Sequence, residues 1–416
     1  MVMKILNVEE YTLHGQKFVK APISVFNYRH FVEEGPSKRS VQIMCEQAMK
    51  SLAETHCLYI ADPPITDELD KAYTEAIPEA FRGKLIATDM GVANSGKRDA
   101  HIEQARPYPS WLKRIQPGHE PFGPPPDKDR RDSNVRLHFA AYNQKAEDIA
   151  AFPNLNTPTI IPPELEKCRE VVLAWNERMR EVARVLHSMI DVGLGWLQGT
   201  MIGATKIDEG PCLVAPTLFT VNTRYDGIWH NKQFEHADDS WGTLHRRPFS
   251  IQEMVARRMD AVVAHIASGH RILPEVPEGM LFFQAGIFLE YMLGGLVGRC
   301  PYPVKAGLHC ATITPWIWDA AVDYAQALHQ DLKRFAGVFF IQPKTTMPAR
   351  VLPQFSNAAS RKAYPELPVG LVMNLSFYGT GVLDVCPEFP LDMQLPHDLE
   401  ASPRIQKIRQ ERMAAS

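Results

Sequence analysis

No apolar run in this 416-residue chain approaches the roughly 18 residues that a membrane-spanning helix needs, so no membrane span is expected. The opening residues, Met1-Val-Met-Lys-Ile-Leu-Asn-Val-Glu-Glu, lack the apolar stretch of a secretory signal. There is little excess charge of either sign: 45 Lys and Arg stand against 48 Asp and Glu, a net charge of -3. A general nucleic-acid coat needs a strong basic excess, and an acidic disordered protein needs the reverse. The seven cysteines (45, 57, 168, 212, 300, 310 and 386) form no CxxC pair and no regular spacing. They read as reduced, mostly buried thiols in a reducing compartment, so a soluble cytoplasmic protein is the expectation. There is no internal repeat, no GxSxG, no Walker loop, no HExxH, and no GxGxxG that opens a helix.

What is present is a globular composition, 45% hydrophobic and 22% charged, with Pro (33) outnumbering Gly (25). Proline fixes φ and removes a backbone donor, so this chain is cut into short elements by stiff loops, which excludes long bundles and solenoids. The length allows two or three domains or one large core.

Residues 18–31 read as a short strand and loop. A stripe of Val41, Met44, Cys45, Ala48, Met49, Leu52 and Ala53 predicts a helix over 38–56, followed by a strand at 56–60 and a second helix near 66–82. Residues 88–135 are rich in Pro and Gly and read as a long irregular segment. A stripe from Leu165 through Trp175 and Leu186 to Ile190 predicts a scaffold helix over 163–192, stopped by Gly193 and Gly195. After residue 212 the pattern changes to short strands, expected at 212–224, 232–238, 279–285, 287–293, 303–314 and 336–342. Between them 246–274 reads as an insertion with a helical stretch at 250–268, more decoration than machinery, and Pro315 opens a helix over 315–334. The tail 403–413 reads as a basic helix.

With no nucleophile motif, the chemistry narrows to histidines and carboxylates. His236-Ala237-Asp238 places an imidazole and a carboxylate two apart, on one face if the segment is a strand. With a second histidine they would make the 2-His-1-carboxylate face that holds non-haem Fe(II). Glu235, Asp239 and Ser240 flank the triplet, so from the triplet alone a solvated loop explains it better. His329-Gln330-Asp331 has the same spelling within an expected helix, where residues two apart diverge by about 200°. His101-Ile102-Glu103 lies in the irregular segment, and the adjacent pair His397-Asp398 diverges in an extended chain. His309 ends the strand-like run Val304-Lys305-Ala306-Gly307-Leu308-His309, a setting more often that of a core histidine than of a ligand.

The residues around His309 carry a resemblance. Val276-Pro277-Glu278-Gly279-Met280-Leu281-Phe282-Phe283-Gln284-Ala285-Gly286 resembles the strand that precedes the distal iron-binding histidine in isopenicillin N synthase-like oxygenases. It continues through Leu289-Glu290-Tyr291-Met292-Leu293-Gly294-Gly295 to Ala306-Gly307-Leu308-His309, similar to one branch of that superfamily. The likeness spans about residues 20–385 and is most specific over 276–309.

The resemblance implies a mainly β fold with helices (α+β), a distorted double-stranded β-helix or jelly-roll supported by N-terminal helices. One oxygenase domain over 1–416 is then expected: 1–211 as helical and loop support, 212–345 as the jelly-roll core with the 246–274 insertion, and 346–416 as a C-terminal extension. It implies His236, Asp238 and His309 as ligands of Fe(II), with O₂ and 2-oxoglutarate as co-substrates. Arg334 takes the place of the arginine that grips 2-oxoglutarate in an Arg-x-Ser motif, but Ala336 stands where the serine is expected. An Fe(II) oxidase of the isopenicillin N synthase type, needing no 2-oxoglutarate, therefore stays open, as does a binding protein without catalysis. A small amino-acid-like or natural-product substrate is expected, with Arg224, Phe340 and Ile341 as candidate contacts and no nucleic-acid or membrane partner. The oligomeric state is not indicated.

Overall fold

The computed structural model describes residues 9–13, 15–81, 134–136, 145–153, 155–156, 163–220, 230–231, 235–246, 262–313, 319, 322–323, 326–328, 333–379, 385–393, 395, 397–400 and 402–415. His101, Glu103, Arg224, residues 247–261, His329 and Asp331 lie outside them.

Helices α1 (Tyr28–Glu34), α2 (Arg39–Thr55), α3 (Asp67–Phe81), α4 (Ala146–Ala151) and α5 (Arg169–Gly193) make the support. The expected stripe of α2 is buried at Val41, Cys45, Ala48, Met49 and Leu52. α2 ends at His56, whose backbone turns left-handed (φ 63) while its N–H returns to the Leu52 carbonyl. α5 follows a 3₁₀ turn, Pro163–Cys168, and buries Val172, Trp175, Met179, Val182, Leu186, Met189 and Ile190 against α2 and α3. Each such side chain contributes about 1.5–3 kcal/mol relative to exposure.

Among the described residues the larger sheet has seven strands, in the order β3 (Val25–Asn27), β4 (Cys57–Ala61), β11 (Leu281–Ala285), β8 (Gly242–Arg246), β13 (Lys333–Ile341), β6 (Leu213–Thr220) and β5 (Asn134–Arg136). The smaller runs β10 (Arg271–Ile272), β9 (Val262–His265), β12 (His309–Ile313) and β7 (His230–Asn231). A hairpin of β1 (Glu9–Leu13) and β2 (Gln16–Lys20) packs on β10. Cys57 and Phe282 of the larger sheet share a hydrophobic cluster with Ala264, Ile266 and Ile272 on the smaller side, so the two sheets face one another. This is the expected jelly-roll architecture, and the described strands do not close into a barrel.

Four expectations need correction. Residues 287–293, expected as a strand, form α6 (Ile287–Leu293), because a run that is almost wholly apolar has no period to separate helix from strand. Part of the 246–274 insertion is core: Arg246 closes β8, and β9 and β10 are strands of the smaller sheet, β9 lying within the 250–268 stretch where a helix was expected. Strands of two to four residues are too short to show alternation. The helix expected over 315–334 ends earlier, since Lys333 and Arg334 already pair with β6. The stretch 18–31 holds β3 and α1 as well as β2, with the Asn27 side chain capping α1 by accepting from the His30 N–H.

Beyond β13 lie α7 (Ala358–Ala363), α8 (Val369–Gly379) and α9 (Pro403–Ala415). Val369, Leu375 and Ile405 join the same buried cluster as Trp175 and Phe283, so the C-terminal section shares the core of the rest.

An ion network centred on the buried pair Lys344 and Asp148 ties the support to the segment after β13. Lys344, 7% exposed, donates to Glu209 (2.8 Å) and Glu147 (3.1 Å) and lies 3.6 Å from Asp148. Removing one partner of a buried pair strands the other charge, at a cost of about 3–5 kcal/mol. Asp148 keeps the Thr346 hydroxyl, so Lys344→Met is expected to destabilise the protein by about 3 kcal/mol. An unchanged urea midpoint would show that the network is not a clamp.

Candidate metal centre

His236 and His309 face each other across an isolated antiparallel bridge. The His236 N–H donates to the His309 carbonyl and the His309 N–H to the His236 carbonyl, both at 2.9 Å. Directly opposed residues present their side chains to one face, and here the two imidazole centroids are 4.6 Å apart. Asp238 is two residues on. Its Oδ1 lies 3.6 Å from His236 Nε2 and its Oδ2 lies 3.8 Å from His309 Nε2. The three donor atoms all lie within 4.8 Å of one another.

The first-row metal bonds of imidazole and carboxylate are about 2.0–2.2 Å, which sets ligands on one octahedral face about 3 Å apart. Small side-chain rotations bring these donors to that spacing. Two neutral imidazoles and one carboxylate match the donor set of a facial Fe(II) site. Asp238 and His309 are buried, while the His236 side chain keeps 26% of its surface exposed, so the cluster opens on that side.

The surroundings hold each donor. Burial by itself would raise the Asp238 pKa. In the metal-free protein the His309 and His236 rings, when protonated, and the Thr243 hydroxyl outweigh it and hold the carboxyl well below the usual carboxylate range. Thr243 Oγ1 donates to Asp238 Oδ2 at 2.5 Å. His309 Nδ1 lies 2.9 Å from the Gly307 carbonyl; a carbonyl can only accept, so Nδ1 carries the proton and Nε2 keeps its lone pair for an ion.

The turn between Asp238 and β8 is anchored by the start of α6. The N–H groups of Ile287, Gly286 and Phe288 donate to the carbonyls of Asp238, Trp241 and Ser240. These are the donors a helix N-terminus leaves unpaired, so turn and helix satisfy each other. A Cβ at residue 286 would overlap the Ser240 carbonyl oxygen, so only glycine allows this approach. Trp241 stacks on His187 of α5, centroids 3.8 Å apart, which ties the turn to the scaffold helix.

The sheet brings further groups to the same face. Thr243 is in register with Gln284 and Phe340, and His245 with Phe282 and Val338. Phe340 thus shares a face with Thr243. Ile341 alternates to the other face, where it is wholly buried in the outer core, so it does not join Phe340 in an apolar wall on the site side. Arg334 lies in β13 opposite Phe219, two residues before Ala336. His397 and Asp398 fall in a helical turn, 397–400.

Thr243, His245, Gln284 and the Gly307 carbonyl were not singled out by sequence. A usable signal existed for two of them: polar Thr243 and His245 alternate with Leu244 in Gly-Thr-Leu-His-Arg, starting four residues after Asp238. The carbonyl of Gly307 carries no sequence signal, since every residue has one.

No protein-family model matches the chain and no curated protein matches it. Solved structures do. A 2OG-Fe(II) oxygenase family protein of Caulobacter crescentus aligns with TM-score 0.58 at 13% identity, over 86% of this chain and 99% of its own. A full-length Neurospora crassa protein in complex with alpha-KG aligns with TM-score 0.56 at 12% identity, over 85% and 94%. The rice dioxygenase for auxin oxidation aligns with TM-score 0.55 at 14% identity, over 86% and 95%. The polypeptide around the His236, Asp238 and His309 cluster has the fold of the 2OG-Fe(II) oxygenases.

Proposed function

We propose that the chain is a single-domain Fe(II)- and 2-oxoglutarate-dependent oxygenase acting on a small molecule. The observation that carries this reading is the convergence of His236, Asp238 and His309 on one open face of a jelly-roll. The chemistry that bound iron supplies there is O₂-driven oxidation of a substrate C–H bond, coupled to decarboxylation of 2-oxoglutarate to succinate and CO₂.

The chain's own residues prepare that chemistry. Asp238 stays ionised and is oriented by Thr243. His309 is held as the Nδ1–H tautomer by the Gly307 carbonyl. Phe282, Val338 and Phe340 give the same face apolar walls that exclude water. Arg334 is assigned to the distal carboxylate of 2-oxoglutarate, because a guanidinium fork pairs bidentately with a carboxylate.

Ala336 keeps one alternative open, an Fe(II) oxidase that takes all its electrons from substrate, since the residue two after Arg334 brings no hydroxyl. Anaerobic Fe(II) titration with and without 2-oxoglutarate decides between them: a weak visible charge-transfer band and CO₂ release on turnover are expected. If neither appears although iron binds, the oxidase reading replaces the first. Ala336→Ser is expected to tighten 2-oxoglutarate binding about ten-fold, the size of a hydrogen bond to a charged group. An unchanged dissociation constant places the carboxylate elsewhere.

A small-molecule substrate is supported by solved relatives. The Neurospora crassa protein is described in complex with thymine and with 5-formyluracil, and the rice protein is a dioxygenase for auxin oxidation. Among the described residues no helix is long and apolar enough to cross a membrane.

A further inference from the structure

A hydrogen-bonded chain runs from the C-terminal section to the backbone beside the Gly307 carbonyl that holds His309. Tyr364, just past α7 and 6% exposed, donates its hydroxyl to Glu290 Oε1 at 2.7 Å. The other oxygen of that carboxylate, Oε2, accepts the Ala306 N–H at 2.7 Å. The next residue, Gly307, donates its N–H to the Ala285 carbonyl at 2.8 Å and offers its own carbonyl to His309 Nδ1 at 2.9 Å. One carboxylate therefore bridges a side chain of the C-terminal section and the backbone of the segment that orients His309.

The surroundings are shaped for this bridge. Gly295 has φ 52, and a Cβ there would overlap the Tyr364 hydroxyl. Tyr291, on α6 beside Glu290, meets the Tyr364 ring edge-on at 5.1 Å. Burial and the nearby carboxylate raise the Tyr364 pKa, so its hydroxyl keeps its proton and acts as a donor.

We propose that Glu290 and Tyr364 are positioning residues for the metal centre: they hold the backbone at the Ala306 N–H so that the Gly307 carbonyl, on the next residue, holds the His309 ring in one tautomer and one direction. The proposal rests on the reading of His309 as a metal ligand. Groups that orient a ligating histidine typically change metal affinity ten- to a hundred-fold when removed. A carboxylate suits the task because its partners are both donors and each oxygen serves one of them.

Glutamine can keep both contacts: its carbonyl accepts from Ala306, and its amide donates to a Tyr364 hydroxyl turned to accept. Alanine loses both, and Tyr364→Phe loses one. The experiment measures anaerobic Fe(II) affinity, the visible spectrum of the Co(II)-substituted protein, and the urea midpoint of the metal-free protein. Wild type, Glu290→Ala, Glu290→Gln, Tyr364→Phe, His309→Ala and Val372→Ala are compared. Val372 is buried in α8, so its truncation is the destabilising control away from the clamp.

Glu290→Ala is expected to weaken Fe(II) binding about ten- to a hundred-fold and to shift the Co(II) bands. Glu290→Gln is expected to stay within about three-fold of wild type, with Tyr364→Phe between them, and Val372→Ala to lower the urea midpoint without altering affinity or spectrum. Should Glu290→Ala not fold, Tyr364→Phe and Glu290→Gln carry the comparison. Unchanged affinity and spectrum in both Glu290→Ala and Tyr364→Phe overturn the clamp while leaving the metal centre intact. If His309→Ala binds Fe(II) as tightly as wild type, the metal-centre reading itself fails.

Discussion

Asp238→Ala protein is expected to bind Fe(II) at least about 100-fold more weakly than wild type, more than the loss typical of outer-shell partners. Asp238 is the only charged group among the three donors, and both of its oxygens face imidazole nitrogens. Without it, two neutral rings remain, and the Thr243 hydroxyl loses its acceptor. Asp238→Asn is expected to fall between the two, because an amide oxygen can still ligate and still accept from Thr243 but carries no charge. Asp238→Glu is not expected to rescue binding, since one more methylene pushes the carboxylate toward rings whose centroids are only 4.6 Å apart. The check is anaerobic competition with a chromogenic Fe(II) chelator, beside His309→Ala. Full iron content in either variant would remove these residues from the site.

The metal-free protein is expected to lose stability steeply as pH falls from 6.5 to 4, with little pH dependence above that range from these groups. Two fully buried histidines dominate. Burial lowers the pKa of His187 to about 4, against the opposing hydrogen bond from Nδ1 to the Ala183 carbonyl. His56 is likewise lowered to about 4, chiefly by burial. In the unfolded chain each takes a proton near pH 6.5, and in the folded protein only near 4. Between those values the unfolded state binds more protons, so acid favours unfolding, and each histidine contributes about 3 kcal/mol at neutral pH that is lost below pH 4.

Asp191 acts in the opposite direction. Burial raises its pKa to about 6, against hydrogen bonds from the Met201, Gly199 and Thr200 backbone. It therefore takes its proton in the folded state first, and its contribution grows as pH falls through 6. One carboxyl offsets only part of the loss from two imidazoles. His187→Phe keeps an aromatic ring stacked on Trp241 and removes one titrating group. Its urea-unfolding free energy is expected to fall by about 3 kcal/mol less than that of wild type between pH 7 and pH 4. An equal fall would mean that His187 is not buried and neutral as its packing on Trp241 requires.

Where a helix presents one apolar stripe to a core, as α2 and α5 do, its period is set by its own residues and is legible without the fold. The run Ile287–Leu293 carries no such period, and its helical state depends on the Ser240 and Trp241 carbonyls waiting at its start. The strands β9 and β10 are too short to declare themselves, and they exist because β12 and β9 pair. The same division runs through the site. His236-Ala-Asp238 was chemically suggestive and structurally ambiguous, and the resemblance around 276–309 pointed to His309 without a physical reason for the pairing.

By itself, the sequence determined the kind of chemistry: two imidazoles and a carboxylate of metal-binding type, an apolar scaffold, and no charge excess for a nucleic-acid coat. Only the tertiary structure decided that His236 bonds to His309 across a bridge, that Thr243 and the Gly307 carbonyl aim the donors, and that Phe340 faces the site while Ile341 does not. The reason is that strand register and backbone hydrogen bonds join residues distant along the chain, and no local pattern of side chains records which carbonyl a given N–H will meet.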